Sequence, residues 1–182
     1  MTIELLAQQG REKIHNGLAA IDTAQLKKMR NQALRNCFNH MDEIRYRKEF
    51  VARIHGKTFI NDAASRSVNS TWYTLESIDG PIIWILNAYL PADQQADLSK
   101  LVQNARGHVR MMVCIGRDSS WIHRQFDHVV PTIVDVATMR EAVERAYYSA
   151  IETATVVYSP ALPSDLSPDE EGMLFRHEVN EL

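Results

Sequence analysis

From Glu49 to Tyr158 short apolar runs alternate with stretches of helical spacing, and this alternation restricts the chain to few architectures. Phe50-Val51-Ala52-Arg53-Ile54 and Thr58-Phe59-Ile60 flank a His55-Gly56-Lys57 turn and read as a hairpin. A helix is expected over 68–77, stopped by Asp79-Gly80-Pro81. Ile82-Ile83-Trp84-Ile85-Leu86 is apolar without interruption, as in a strand buried on both faces. The alternation continues with a helix over 92–105, a buried strand over 109–115 and a helix over 119–126. A short strand is expected over 129–134, with Pro131 marking an edge or an end. Met139, Ala142, Val143, Ala146, Tyr147 and Ala150 form a helical stripe, Thr155-Val156-Val157-Tyr158 the last strand, and the tail from Asp169 a helix. Strand and helix succeed each other at the spacing of βαβ units, which predicts an α/β domain with a mostly parallel sheet and helices on both faces.

Upstream, Leu26, Met29, Ala33 and Cys37 keep helical spacing, Asp22 or Thr23 can cap the second of two helices, and the period fades over 39–48. The expected organisation is therefore an N-terminal helical extension over 1–40 and an α/β domain over 41–182.

Charge narrows the function. Twenty Lys and Arg against 23 Asp and Glu give a net charge of -3, which argues against a nucleic-acid or anionic-membrane binder. No apolar run approaches the roughly 20 residues that span a bilayer. Met1 to Gly10 holds Glu4, Gln8 and Gln9 and no small-residue cleavage site. Cys37 and Cys114 read as buried free thiols of a cytoplasmic protein. The chain contains no G-x-x-x-x-G-K-[ST] loop, no G-x-G-x-x-G and no G-x-S-x-G elbow. His123, Asp127 and His128 read as a solvated helix end, and no metal is expected. Asp165, Asp169, Glu170 and Glu171 read as a solvated loop feeding the first turn of a helix. The segment 159–170, with three prolines and three serines, follows the last strand at the edge where open α/β sheets bind ligands.

Several fragments, in order, resemble the Mur ligases, most closely the UDP-N-acetylmuramoyl-alanine:D-glutamate ligases. Phe59-Ile60-Asn61-Asp62 followed by Val68-Asn69-Ser70-Thr71-Trp72-Tyr73-Thr74-Leu75-Glu76-Ser77 is similar to a strand ending in Asn-Asp, a Ser-Lys-Ala-Thr-Asn turn and a helix of that family. Trp84-Ile85-Leu86 resembles the next strand, Gly116-Arg117-Asp118 the turn after the following one, and Ser159-Pro160-Ala161 the family's Ser-Pro-Ala. Tyr46-Arg47-Lys48-Glu49 stands where the family has His-Arg-x-Glu, and His15-Asn16-Gly17-Leu18-Ala19-Ala20 resembles the end of the ligases' central domain.

The resemblance implies a Rossmann-like C-terminal ligase domain behind the last helices of a central domain. It implies Arg47, Asn61 and Asp62 as vestigial nucleotide-binding candidates, and Ser159 and Arg66 as vestigial substrate-binding candidates. Arg47, beside Arg45 and Lys48, also reads as an exposed basic strand entrance.

The departures are chemical. Ala64 stands where the family has the lysine of Ser-Lys-Ala-Thr-Asn, and Asn87-Ala88-Tyr89-Leu90-Pro91-Ala92-Asp93 replaces Gly-Gly-x-Asp-Lys-Gly. No catalytic residue is therefore expected, and no cofactor, although the family uses ATP and magnesium. The expected role is a degenerate, stand-alone binding or regulatory module linked to peptidoglycan precursor synthesis. Its expected partner is a second copy or an intact Mur ligase. The alternative is a fragment or subunit of an ATP-dependent D-glutamate-adding ligase that needs a partner chain.

Overall fold

The computed structural model describes residues 46–89 and 96–182. The helical extension expected over 1–40, with Cys37, lies outside them. Six strands form one sheet: β1 (Glu49–Ile54), β2 (Lys57–Asn61), β3 (Ile82–Asn87), β4 (Val109–Ile115), β5 (Ile133–Val136) and β6 (Ala154–Tyr158). Their order is β1-β2-β6-β3-β4-β5. Only β1–β2 is antiparallel; β2–β6, β6–β3, β3–β4 and β4–β5 are parallel. The described helices are α1 (Val68–Glu76), α2 (Ser99–Ala105), α3 (Ser120–Phe126), α4 (Met139–Tyr147) and α5 (Pro168–Asn180).

The hairpin closes through two residues, His55 at φ 45 and Gly56 at φ 85, with Ile54 facing Lys57. Two consecutive left-handed residues make the mirror-image turn whose twist matches a β-ribbon. Gly56 is needed twice over, since a Cβ there would meet the Glu152 carbonyl oxygen at 2.8 Å.

Alternation along each strand feeds two cores. On one face Phe59, Ile83, Ile85, Val113, Val156 and Tyr158 pack with Met139, Ala142, Val143 and Ala146 of α4 and Phe175 and Val179 of α5. On the other, Ile82, Trp84, Leu86, Met112, Cys114 and Val157 pack with Leu75 of α1, Leu101 and Ala105 of α2, and Trp121, Ile122 and Phe126 of α3. Ile82 to Leu86 of β3 are buried, as the unbroken apolar run predicts, and so is Asn87 at the strand's end. No helix among the described residues is long and apolar enough to cross a membrane.

Two boundaries differ from expectation. Residues 129–130 are not strand: Val129 and Val130 donate to the Phe126 carbonyl as the chain leaves α3, and Val130 is buried by packing without pairing. The strand forms two residues after Pro131, which has no N–H to give a ladder. Of the helix expected over 92–105, residues 92–95 lie outside the described residues and 96–98 are not helical; α2 starts at Ser99, whose N–H the Asp97 carboxylate accepts.

Candidate functional site

Seven of the ten buried polar or charged residues described are Asn61, Asp62, Ser65, Thr71, Asn87, Ser159 and Glu171. They gather at or beside the C-terminal ends of β2, β3 and β6, so the polar chemistry of the interior is concentrated on the edge where open α/β sheets take ligands.

Asp62 follows β2 and is fully buried. The Lys48 N–H donates to its Oδ1 at 3.2 Å, the Arg47 Nε lies 3.8 Å from Oδ1, and the Ser159 Oγ lies 2.9 Å from Oδ2. Arg47 is presented by a loop in which Tyr46 (φ 58) and Lys48 (φ 46) are both left-handed. Such conformations cost of order 1–3 kcal/mol each and persist where the surroundings over-determine them. Here Tyr46 accepts the Ala64 N–H through its carbonyl, and Lys48 gives its own N–H to Asp62. The Arg47 side chain is 7% exposed, so the exposed basic strand entrance is not what forms.

Burial raises the Asp62 carboxyl above its ordinary value of 3.8, against the opposing hydrogen bonds of neighbouring hydroxyls and the charge of Arg47. Ser159 donates to Asp62 Oδ2, and the Thr71 hydroxyl bridges the next step, with Oγ1 2.9 Å from Ser159 Oγ and 3.2 Å from the Ser65 carbonyl.

Asn61 is also turned inward. Its amide donates to the Gly172 carbonyl at 2.9 Å and to Glu49 Oε2 at 3.3 Å, and its Oδ1 accepts the Ala63 N–H at 3.3 Å. Arg47, Asp62 and Ser159 are thus brought together, with Ser159 bound to Asp62, whereas the Asn61 side chain bonds to Glu49, Gly172 and Ala63.

Arg66 belongs to a second cluster. Its Nη2 donates to the Ser164 carbonyl at 2.7 Å and to Ser164 Oγ at 3.2 Å. Ser164 Oγ donates to Glu171 Oε1 at 2.5 Å, and Asn87 Nδ2 donates to the same oxygen at 2.7 Å. The Tyr158 hydroxyl donates to Asn87 Oδ1 at 3.3 Å. Burial pushes the Tyr158 phenol well above its ordinary value, with the Glu171 charge adding to it, so it remains a donor.

Glu171 overturns its sequence reading: it is not solvated but 2% exposed. The signal lay in helical spacing, since stepping back by fours from Val179 and Phe175 reaches Glu171 on the inner face of α5. The Ser167–Glu170 capping box fixes that register. Asn87 belongs to the stretch that departs from the family pattern, and Ser164 to the proline- and serine-rich segment after the last strand.

No family model matches the chain. Its sequence is 35% identical to the UDP-N-acetylmuramoylalanine–D-glutamate ligase of Porphyromonas gingivalis over 182 residues, covering 98% of the chain and 40% of the relative. The same ligase of Christiangramia forsetii is 33% identical over 180 residues, covering 97% of the chain and 40% of the relative. The chain therefore spans about 40% of the length of the curated relatives it matches. Among solved structures, the UDP-N-acetylmuramate–alanine ligase of Thermotoga maritima superimposes with a TM-score of 0.51 at 11% identity, over 76% of the chain and 30% of that protein. A murein peptide ligase of Psychrobacter arcticus gives 0.50 at 13% identity, over 76% and 29%.

Proposed function

We propose, from the premise that this chain is a C-terminal domain of the Mur ligase family, that it is a binding module linked to peptidoglycan precursor synthesis and that its own residues perform no ligation. The observation that carries this reading is the engagement of Asp62: donors from the chain itself approach both carboxylate oxygens, and the group is fully buried. A residue in that state positions the loop around it.

The residues present do not fit a nucleoside triphosphate. Phosphoryl transfer rests on positioned cations and a backbone cradle around the phosphates. These 182 residues contain no P-loop, alanine stands at 64 in place of the family's lysine, and the Arg66 guanidinium is spent on Ser164. No phosphoryl-transfer step is assigned here, and ATP and magnesium are not needed for the module's role. Its proposed partner is an intact Mur ligase or a second copy.

The purified chain, given ATP, magnesium, D-glutamate and UDP-N-acetylmuramoyl-alanine, is expected to release no phosphate above background. Calorimetry should show neither ATP–magnesium nor D-glutamate binding below about 1 mM, weaker than about -4 kcal/mol. Turnover by the chain alone overturns the proposal.

A second reading is favoured by one observation, the buried Arg47 held beside Asp62 by two strained residues. On that reading the chain completes a ligase whose P-loop lies on another polypeptide. Phosphate release that appears only when such a polypeptide is added decides for it.

A further inference from the structure

The sheet ends at β5, and only one side of that strand is paired. Thr132 and Val136 accept β4 N–H groups through their carbonyls, from Met112 at 2.9 Å and Gly116 at 3.0 Å. Alternate residues of a parallel strand face the same neighbour, so Val134 also faces β4, while Ile133 and Asp135 turn their N–H and C=O groups to the free edge. Such a row is a template for another strand.

The face beside that row is uncovered. Helix α4 packs chiefly on β4, which leaves an open groove of about 590 Å³ between β5 and the helix. Met111, Val134 and Val136 give it an apolar lining from the sheet, and Glu141, Glu144 and Arg145 line it from α4. Tyr148, which also lines it, is 77% exposed. On the other face of β5 the Asp135 carboxylate accepts from Ser119 and lies 3.0 and 3.1 Å from His123 Nε2, and it is still 53% exposed.

Charge says what fits. Asp135, Glu141 and Glu144 line the groove against Arg145 alone, and Arg140 meets Glu144 only in a surface pair, which screens it little. Four residues of strand, Pro131 just before them and the charge of Asp135 are the means by which edges repel apolar strands. They do not repel a basic one. A second copy fits poorly, because two β5 strands meeting about a twofold axis would set Asp135 opposite its own counterpart or opposite Ile133 of the other copy.

We propose that β5 takes up an extended segment of a partner protein as an added strand, in which apolar residues entering the groove alternate with lysine or arginine lying beside Asp135. Side chains of an added strand alternate between the two faces, so one face meets Met111, Val134 and Val136 and the other meets the carboxylate. Glu141 and Glu144 add to the attraction from α4. The proposal rests on the reading of the chain as a binding module and gives that reading a surface and a partner chemistry. The phosphate-release experiment does not involve this edge, so failure of either is told apart from failure of the other.

The test is residue-resolved amide exchange of the full chain, with an acetylated, amidated lysine-valine-lysine-valine-lysine peptide as the probe. One added strand buries less than a standard interface, so binding is expected at about 0.1–1 mM. The Ile133 and Asp135 amides should slow about twofold at half saturation, and the Val134 amide, already within the sheet, should change least. The same peptide with glutamate for lysine, or with proline for valine, should leave all three unchanged. Asp135→Asn keeps an acceptor for Ser119 and His123 and should weaken the probe about two- to fivefold; Glu144→Gln, on the exposed helix surface, should weaken it as well if Asp135→Asn does not fold. No slowing at about 5 mM probe, equal slowing by the glutamate or the proline peptide, or an unchanged affinity in the folded variants overturns the proposal. Protection of the two amides that grows with protein concentration without any peptide also overturns it, by seating a second copy on the edge.

Discussion

Replacing Asp62 by alanine is expected to lower the unfolding free energy by about 3–5 kcal/mol, the range found when one partner of a buried charge pair is removed. In a domain of this size that is a fall in midpoint of roughly 6–20 °C. The loss has identifiable parts. Arg47 Nε, already without a hydrogen-bond partner, loses its countercharge in a side chain that is 7% exposed. The Lys48 N–H and the Ser159 hydroxyl lose their acceptor. Lys48 also loses the bond that holds it in the left-handed region. Asp62→Asn should cost less, because the amide carbonyl can still accept from Lys48 while the amide nitrogen donates to Ser159. Urea unfolding of the three proteins checks the order; equal losses for alanine and asparagine would refute the role given to the hydrogen bonds.

The same residue sets a pH dependence. Burial places the folded carboxyl above 3.8, so between the unfolded and the folded value the folded state holds a proton that the unfolded chain has released. The stabilisation this supplies is fully present below the unfolded value and is lost as pH rises through the folded one. Asp62→Asn, which offers a donor to Ser159 at every pH, should flatten that part of the stability profile.

Gly172→Ala is the second large effect, and here two terms oppose. In a helix interior alanine is favoured over glycine by about 1 kcal/mol. The Cβ, however, would lie 2.4 Å from Cγ of Tyr46 and 2.7 Å from both Cδ atoms. That ring is 2% exposed, its backbone is left-handed, and the Arg176 guanidinium sits 5.8 Å from its centroid. It has little room to give way. The Gly172 carbonyl is also the acceptor of Asn61, so displacing α5 disturbs the end of β2. Overpacking of this kind costs about 1–3 kcal/mol and should outweigh the propensity gain. A denaturant midpoint equal to or above that of the parent would show that Tyr46 is free to move.

Where strands and helices lie was legible because both faces of the sheet are covered. Burial leaves a strong apolar period in β3, β4 and β6 and in the stripe of α4. The signal failed where an apolar residue is buried without belonging to an element. Val130 fills the core below α3 yet pairs with no strand, so its side chain resembled that of a strand residue. At the candidate site the resemblance identified Asn61, Asp62 and Ser159 as special positions, and of these Asp62 and Ser159 meet. It missed Glu171, because charge normally reports exposure. Only the helical register of α5 could have revealed that this one carboxylate of the acidic run points inward. Arg47 was legible as an important position but not as a buried one, since its burial depends on contacts between the loop before β1 and the turn after β2.

The strand order has a consequence for how the chain is made. β6, near the end of the sequence, is the strand that lies between β2 and β3, and those two share no ladder of their own. A nascent chain that stops before Ala154 holds a hairpin on one side and a three-stranded parallel sheet on the other, with nothing joining them. Closing that gap brings Lys57 beside Ala154 and Asn61 beside Tyr158, pairings about a hundred residues apart. The sheet therefore cannot be completed residue by residue behind the ribosome; until the last strand emerges, the inner edges of β2 and β3 are open to pairing with other polypeptides.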